Sequence, residues 1–311
     1  MIDLRRLHVL RVVDQLGTIT AAASSLHLTP SAVSQQLRGL SHDLAVQLLE
    51  PDGRRVRLTP AAHALLKHAD DMAARWEEAR GELRAYAEET GGVLRLAGFP
   101  SVLPALAVPA ADMLRRREPR LELRLVELET VDAYERLLVG EVDIAITLPN
   151  LGGPTADDPR FDQQRLLDEP QDLLVPLDHP LAGRDTVGLE QLAHDDWVLP
   201  PPHSCDQYEL VAVACATAGF TPKIAHEVKE WAPTIATVAY GFGVCLKPRL
   251  VPIPADTPVA CIPLRRPAPR RRLLTCTRRG SREQRPIALG LEALAEAAAQ
   301  MNAKAAARQQ A

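Results

Sequence analysis

The stretch TPSAVSQQLRGL, residues 29–40, decides the fold of the N-terminal part of the chain. Thr29 followed by Pro30 predicts the start of a helix, because threonine caps helix N-termini and proline at the first helical position has no N–H to leave unpaired. Val33, Leu37 and Leu40 then recur at helical spacing along one face. The stretch therefore predicts an amphipathic helix that buries these three side chains.

The opposite face of this helix carries hydroxyls, an amide and a guanidinium, and it has no carboxylate. Such groups bond phosphate oxygens and base edges: arginine pairs with guanine, glutamine with adenine, and serine with either. A solvated helix face is the alternative interpretation for one helix taken alone. With the flanking positions, the predicted DNA-binding residues of this helix are Thr29, Ser31, Ser34, Gln35, Gln36 and Arg38.

Two neighbouring segments favour the nucleic-acid interpretation. Before the helix, Thr18 predicts the cap of a short helix that meets it across a tight turn, which is helix-turn-helix spacing. After it, residues 48–58 predict a hairpin that turns at Pro51-Asp52-Gly53. The returning strand carries Arg54, Arg55 and Arg57, which a wing would place on the DNA backbone or minor groove.

A long helix is predicted over residues 60–90, between the Thr59-Pro60 start and the Gly91-Gly92 stop. Its apolar residues recur at alternating spacings of three and four, as in a heptad seam. A lone helix of this length is marginal in water, so the seam predicts a partner helix. Packing against the C-terminal part of the same chain is the alternative. The predicted dimerisation residues are Leu65, Ala69, Met72, Trp76, Leu83 and Tyr86.

From Val93 onward, short apolar runs alternate with helical segments, which is typical of an α/β sheet. A first β-α-β-α-β series ends near Ile146, and a second series runs from Asp172 to Leu246. A last strand, 272–277, and a last helix, 287–299, are predicted to return to the first lobe. The Ala- and Gln-rich tail, 301–311, is predicted to fray.

The chain resembles the LysR-type transcriptional regulators over nearly its whole length. The N-terminal match is one ordered pattern within residues 4–68: Leu7, Thr18, Ala21-Ala22, Leu26, residues 31–37, Leu40, Leu44, Leu48 and residues 56–61. In the C-terminal part, residues 140–146 and 241–248 are similar to recurring strings of the same family. One departure concerns the wing, where the family's Leu-Phe-x-Arg becomes Leu48-Leu49-Glu50-Pro51, so that Pro51 stands in place of the arginine.

The resemblance implies a multidomain fold with three parts and a tail. We expect an all-α winged helix-turn-helix DNA-binding domain over 1–59, a linker and dimerisation helix over 60–90, and an effector-binding domain over 91–300. The last is expected to be a two-lobed α/β domain of the periplasmic-binding-protein-like type II fold. Lobe one would comprise about 91–165 and 267–300 and lobe two about 166–266, with crossovers near Arg165–Asp168 and Cys261–Arg266.

The resemblance also implies partners. In this family the long helix pairs antiparallel with its mate, so a homodimer or homotetramer is expected to read two half-sites of an interrupted dyad in double-stranded DNA. A small-molecule effector is expected to modulate it, and RNA polymerase is a further expected partner. No cofactor is expected.

Ligands of open α/β sheets bind at the carboxyl ends of strands, here in the cleft between the lobes. The predicted effector-binding residues are Ser101, Thr130, Thr147, His203, Ser204 and Trp231. Ser101 and Ser204 are each expected at a helix N-terminus, where exposed N–H groups favour an anionic effector. A plain helix cap is the alternative for each. An arginine-rich segment is predicted to be a solvated face beside the second crossover: Arg265, Arg266, Arg270, Arg271, Arg272, Arg278, Arg279 and Arg282.

The composition of the chain excludes several classes of protein. The net charge of −4 excludes a polycation, and 46% apolar residues exclude a mostly disordered chain. Without an apolar run of membrane-spanning length or a secretory apolar core, we expect a cytoplasmic protein with no membrane partner. The five cysteines are an odd number without C-x-x-C spacing, which indicates reduced thiols and no metal site.

Three rival functions are weighed against a regulator. The scattered histidines and the absence of a G-x-S-x-G motif argue against an enzyme. A cytoplasmic solute-binding protein would leave the first 90 residues unexplained. In a redox-sensing regulator two cysteines of the second lobe would pair. However, Cys205 and Cys215 lie ten residues apart on one predicted helix, too far to bridge without unfolding.

Overall fold

The computed structural model describes residues 4–53, 55–86, 92–149 and 153–310. The chain forms two compact units, Met1–Arg80 and Gly81–Ala311. The helices are α1 (Leu4–Leu16), α2 (Ile19–Ser25), α3 (Pro30–Leu44), α4 (Pro60–Tyr86), α5 (Val108–Arg117), α6 (Thr130–Leu138), α7 (Asp206–Thr217), α8 (Trp231–Ala239) and α9 (Arg285–Gln310). A π-helical segment, Leu103–Ala107, precedes α5, and a 3-10 turn covers Leu189–Leu192.

The strands are β1 (Leu49–Asp52), β2 (Arg55–Leu58), β3 (Val93–Gly98), β4 (Glu122–Glu127), β5 (Ile144–Thr147), β6 (Phe161–Pro176), β7 (Asp196–Leu199), β8 (Lys223–Glu227), β9 (Cys245–Pro248), β10 (Val259–Pro263) and β11 (Arg270–Arg278).

Local capping builds the first unit, which is a winged helix-turn-helix. Thr18 Oγ1 accepts from Ala21 N at 3.1 Å and starts α2, and Thr29 Oγ1 accepts from Ala32 N at 3.2 Å and starts α3. Val33, Leu37 and Leu40 of α3 are buried against α1 and α2, as the periodicity predicts. The helix is longer than predicted and ends at Leu44, where Ala45 adopts a left-handed conformation.

The wing is the antiparallel pair β1 and β2, in register from Leu49 opposite Leu58 to Asp52 opposite Arg55. Gly53 has a φ of 59°, a conformation that glycine reaches without steric cost and that the tight turn requires. The predicted contact residue Arg54 lies outside the described residues.

Helix α4 begins where Thr59 Oγ1 accepts from Ala62 N at 3.2 Å. Its first turns complete the core of the winged domain: Ala62 and Leu66 are buried, and Leu65 and Ala69 pack on the same cluster. Leu65 and Ala69, predicted in the dimer seam, are therefore partly covered by this chain itself. The cause is the apolar core of the winged domain itself, which extends past the expected domain boundary at residue 59.

Further along α4, apolar residues of the predicted seam are open to solvent. The exposed fractions are 42% for Met72, 56% for Trp76 and 62% for Leu83. The side chain of Tyr86 and residues 87–90 of the predicted helix lie outside what the structure describes.

The second unit is a two-lobed α/β domain. In lobe one β3 pairs in parallel with β4 and β5, and β11 and the first part of β6 extend this sheet antiparallel. In lobe two the second part of β6 pairs with β9 and β10, and β7 and β8 form a parallel pair. Each lobe has an apolar core, including Leu94, Ile146 and Leu294 in lobe one and Leu173, Trp197 and Val211 in lobe two.

The crossover between lobes differs from the prediction. One continuous strand, β6, passes from one sheet to the other, and its partner changes between Pro170, opposite Arg270, and Gln171, opposite Pro248. The predicted crossing at Arg165–Asp168 therefore lies inside lobe one, and Cys261 of the second lies within β10. Residues 301–310, predicted as a fraying tail, continue α9.

Candidate functional site

The outward face of α3 is open for contact. Ser31, Gln35 and Arg38 are exposed, while Ser34 and Gln36 are half-buried beside them. Thr29 is exposed too, but its Oγ1 caps the helix and lies 2.9 Å from Ser31 Oγ. Gln35 and Arg38 thus present an amide and a guanidinium on one exposed face, the two groups suited to reading base edges.

The far end of α3 is braced by α1. Arg6 Nη1 lies 2.8 Å from Asp43 Oδ2, which ties the two helices together. Gly39 permits this approach, because a Cβ there would lie 3.2 Å from Arg6 Nη1. The bracing leaves Asp43 paired with a cation, away from the first turns that carry Gln35.

The wing offers fewer free cations than predicted. Arg55 and Arg57 are both exposed on β2. Arg57 Nη2 donates to Glu50 Oε2 at 3.0 Å, so the carboxylate next to Pro51, which replaces the family's arginine, also offsets one of the predicted contacts. Arg55 is the stronger candidate for a phosphate contact.

Between the lobes of the second unit lies a pocket that is partly open to solvent and leaves about 40 Å³ for the centres of water-sized molecules. We name it the inner pocket. Lobe one contributes Phe99, Pro100, Ser101, Glu129, Leu148 and Arg271, and lobe two contributes residues 198–200, 205–207, 228–231, Thr234 and residues 245–246. A wider depression, the outer groove, adjoins it and is lined by residues 129–132, 148–149, 188–190, 203–206, 209–210, 213–214, 217–218, Lys229 and residues 264–272.

The predicted effector residues are divided between these two depressions. Ser101 and Trp231 line the inner pocket, and Thr130, His203 and Ser204 line the outer groove. Thr147 lines neither: it is fully buried in β5, and its Oγ1 lies 3.2 Å from the Tyr134 hydroxyl. Its prediction as a cleft residue is wrong because the strand continues through that position in register with β11.

The two serines do not face each other as helix caps. Ser204 Oγ donates to Pro201 O at 2.7 Å within a turn, and Cys205 is the N-cap residue of α7. Ser101 precedes the π-helical segment and is 2% exposed. Its Oγ accepts a hydrogen bond from Arg271 Nη2 at 2.9 Å.

Arg271 belongs to a buried ion pair at the crossing of the lobes. Its guanidinium binds the Glu169 carboxylate, and it lies 5.1 Å from the centroid of the Phe99 ring. Glu169 Oε1 also accepts from Leu250 N at 2.6 Å. Satisfied buried pairs of this kind specify geometry, and losing one partner is costly.

A second ion pair joins the lobes where the inner pocket meets the outer groove. Lys229 Nζ of lobe two lies 2.9 Å from Glu129 Oε1 of lobe one, and both residues line both depressions. Burial raises the pKa of Glu129 above its usual value, although the hydrogen bond from Lys229 opposes the shift. The pair therefore bridges the two lobes beside both depressions.

Gln207 of α7 is one of the residues that line the inner pocket. Both hydrogens of its Nε2 are used, in bonds to Leu246 O at 2.9 Å and Gln171 Oε1 at 3.1 Å. This fixes the amide orientation, because the reverse would set two acceptors against each other. Gln207 Oε1 is buried and accepts no hydrogen bond from any described residue.

Sequence reasoning missed Arg271, Glu169, Gln207, Glu129 and Lys229. The sequence predicts a solvated face for Arg271 and seven other arginines, but Arg271 is 5% exposed and Arg278 is 8% exposed. The reason is strand alternation in β11, whose exposed Arg270 and Arg272 flank the inward Arg271. The signal that could have revealed the buried arginine was a run of charged residues on a strand, because alternate residues of a strand face opposite sides.

The cysteines are free. Burial raises the pKa of Cys205 above its usual value and that of Cys215 to about 12. Cys205 is the N-cap residue of α7 and Cys215 lies on that helix, so the two are separated by about 15 Å at 1.5 Å per residue. Within the described ranges no three His, Cys, Asp or Glu residues are grouped to hold a metal ion, and no helix there is long and apolar enough to cross a membrane.

Comparison with known proteins agrees with this architecture. Residues 4–63 match the family of bacterial regulatory helix-turn-helix proteins, lysR family, and residues 87–299 match the LysR substrate binding domain. The transcriptional regulator ShiR of Corynebacterium glutamicum is 32% identical over 72% of this chain and 75% of its own.

Two solved structures share the fold at 22% identity. The hydrogen peroxide-bound OxyR of Corynebacterium glutamicum, a cysteine-to-serine mutant, has a TM-score of 0.62 over 99% of this chain and 96% of its own. CbnR in complex with its target DNA has a TM-score of 0.55 over 96% and 100%. With a DNA-binding helix-turn-helix at one end and an α/β effector-binding domain at the other, the chain belongs to the LysR family of transcriptional regulators.

Proposed function

We propose that this regulator binds an interrupted dyad in duplex DNA as a homodimer and that a small molecule between the lobes changes its DNA binding. The observation that carries the proposal is the exposed Gln35 and Arg38 on a capped, braced α3. CbnR, which shares this fold, was solved on its target DNA. Contact with RNA polymerase and assembly to a tetramer stay predictions.

The dimer is assigned to the exposed apolar residues of α4, Met72, Trp76 and Leu83. Two helices paired through this face would present two α3 helices to two half-sites. Such symmetry matches that of a dyad operator.

The effector is assigned to the inner pocket. Pockets for small molecules are mostly apolar with a few convergent polar groups, and here Phe99, Leu246 and Trp231 supply apolar wall while Gln207 supplies a polar one. Closure on an effector would follow from its differential affinity for the closed lobes.

A cysteine-based redox switch has less support. Reaction with an oxidant needs the thiolate, and burial raises the pKa of both Cys205 and Cys215. Their separation along α7 also prevents a disulfide without unwinding of that helix.

The test begins with DNA selected by the full-length protein from a random duplex library. At the selected site, Gln35→Ala and Arg38→Ala should each cost about 1–3 kcal/mol, since each removes a base contact. Arg55→Ala should weaken all duplexes alike and reduce the salt dependence, as loss of a phosphate contact does. Arg124→Ala, an exposed change on β4, is the matched control and should have no effect. Unchanged affinity of the Arg38 variant would contradict the proposed docking of α3.

A further inference from the structure

Helix α1 is bonded to two other helices of the winged domain through two arginines on different sides of it. Arg6 pairs with Asp43 near the end of α3, and Arg11 reaches α4. Five residues correspond to about 140° around a helix of 3.6 residues per turn, so the two guanidinium groups reach different neighbours. Helix α1 therefore connects the proposed DNA-reading helix with the helix assigned to the dimer.

The polar contact between α1 and α4 is made at two points on one face of α4. Arg11 Nη2 donates to Leu66 O at 3.1 Å, and the same guanidinium pairs with the Asp70 carboxylate. Leu66 and Asp70 are four residues apart on α4, so they lie one above the other on the same face. A planar guanidinium that binds two groups about one turn apart opposes both rotation and sliding of α4 against α1. We name Arg11, Leu66 O and Asp70 the α4 clamp.

The α4 clamp is shielded from solvent, whereas the ion pair on the other side of α1 is not. The side chains of Arg11 and Asp70 are 17% and 10% exposed, against 34% for Arg6 and 60% for Asp43. Exposed ion pairs contribute little, while losing one partner of a shielded, hydrogen-bonded pair is costly. The apolar packing of the first turns of α4 on the winged domain is not directional. The α4 clamp is therefore the part of this contact that fixes an angle.

The angle between α1 and α4 matters because α4 also carries exposed apolar residues assigned to the dimer. Met72 and Trp76 follow Asp70 within two turns of the helix. In a dimer paired through these residues, the angle at the α4 clamp sets the distance and rotation between the two α3 helices. One added base pair moves a half-site by about 3.4 Å and turns it by about 35°, so a fixed angle fits one spacing better than its neighbours.

We infer that Arg11 is a positioning residue for DNA recognition: through the α4 clamp it holds α4 at one angle to α1 and restricts the dimer to one spacing between half-sites. Gln35 and Arg38 read each half-site, and Arg11 determines how far apart the two half-sites stand. This inference rests on the proposed function and adds to it a determinant of specificity that acts through α4.

The experiment measures binding of the full-length protein to duplexes that carry the selected half-site twice, as an inverted pair, with spacers of up to about 12 base pairs. A half-site displaced by one base pair is read as mismatched, so the unmodified protein should prefer one spacing over its neighbours by at least about tenfold. Arg11→Met keeps an apolar side chain but removes both bonds, and it should reduce this preference at least about threefold. The half-site sequence that the variant selects should stay the same, because Gln35 and Arg38 are untouched.

A double variant guards against a loss of folding. Arg11→Met leaves the shielded Asp70 without this guanidinium, whereas Arg11→Met combined with Asp70→Asn removes both charges of the pair. Changes at one contact are not additive, so the double variant should reduce the spacing preference by the same factor as Arg11→Met alone. A purely structural role of Arg11 would lower binding to all spacings and to single half-sites alike, and that result overturns the inference. A spacing preference that stays unchanged in both variants overturns it as well.

Arg6→Met is the matched control. It removes an arginine from the same helix, but its ion pair with Asp43 is exposed and joins α1 to α3, so the spacing preference should stay unchanged. Equal loss of the preference in Arg6→Met and Arg11→Met would overturn the assignment to the α4 clamp. If the unmodified protein selects only single half-sites, the dyad of the proposed function fails together with the inference. A sharp spacing preference that survives loss of Arg11 overturns the inference alone.

Discussion

Ala45 ends α3 in the left-handed region, with φ 54° and ψ 33°. This conformation costs a non-glycine residue about 1–2 kcal/mol, while glycine adopts it freely but gains about 0.4–1 kcal/mol of entropy in the unfolded chain. We therefore expect Ala45→Gly to stabilise the winged domain by about 0.5–1 kcal/mol, the difference of those two effects. Urea unfolding measures this change in the free energy of unfolding.

The control for this change is Ala64→Gly, at an exposed position inside α4. There the backbone is helical, so glycine should cost about 0.5–1 kcal/mol. Destabilisation by both substitutions would show that the left-handed residue carries no strain.

Glu129 provides a prediction about pH. Its pKa is raised in the folded chain, so folding favours its protonated form. The resulting stability is fully present below the ordinary value, 4.5, and is lost as pH rises through the raised pKa. We expect Glu129→Gln, which cannot ionise, to gain unfolding temperature relative to the unmodified chain as pH rises across that window.

The difference in unfolding temperature between Glu129→Gln and the unmodified chain is measured by thermal unfolding between about pH 4 and about pH 8. Lys229→Met removes the hydrogen bond that opposes the shift, so the loss of stability should extend to higher pH. A difference between Glu129→Gln and the unmodified chain that does not change with pH would rule out Glu129 as its source.

Some single residues were predictable and others were not, for a physical reason. Thr18, Thr29 and Thr59 act on backbone N–H groups three positions away, so their role is legible in the local sequence. Arg271 is buried in an ion pair with Glu169, which lies 102 positions away in the chain. A pairing between residues so far apart in the chain leaves no pattern in the sequence around either of them.

Among the elements, α4 shows how one periodicity can serve two partners. The heptad pattern was predicted as one dimer seam, but its first turns pack on the winged domain while Met72, Trp76 and Leu83 are exposed. The spacing is the same in both parts because a helix presents the same stripe to any partner. The sequence alone therefore does not show which part of the stripe packs on the winged domain and which part is exposed.

Trp76→Glu tests the exposed part of the stripe. A carboxylate placed in an apolar interface without a partner is strongly unfavourable, so the proposed dimer should dissociate. Sedimentation at micromolar concentration should show monomer, whereas Ala73→Glu, exposed on another face of α4, should leave the dimer intact. A dimer that survives Trp76→Glu would place the interface on another element.

Strand β6 shows the limit of pattern reading at this scale. Its second half, Asp172 onward, was predicted from a buried apolar run, but Phe161–Gln171 is largely polar. Those residues form a strand because β11 pairs with them from Phe161 to Pro170. A polar strand stabilised by its neighbour lacks the alternation that identifies a strand in the sequence.

At the scale of the whole molecule, each unit has an apolar core of its own. The core of the winged domain is built from residues between Leu7 and Ala69, and the cores of the α/β domain from residues between Leu94 and Met301. Contacts are dense within each unit, Met1–Arg80 and Gly81–Ala311. Cooperative unfolding follows packed cores, so two transitions are expected instead of one.

Calorimetry of the full-length chain with one core substitution per unit tests this division. Leu10 and Leu294 are both fully buried, the first in the winged domain and the second on α9 in lobe one. Leu10→Ala and Leu294→Ala should each cost about 2–5 kcal/mol, because each leaves a cavity as well as losing apolar burial. If the units unfold separately, Leu10→Ala lowers only the transition of the winged domain, and Leu294→Ala lowers only that of the α/β domain. The two variants are matched in chemistry and burial, so each serves as the control for the other. A single transition that both substitutions lower equally would mean that the two cores unfold as one.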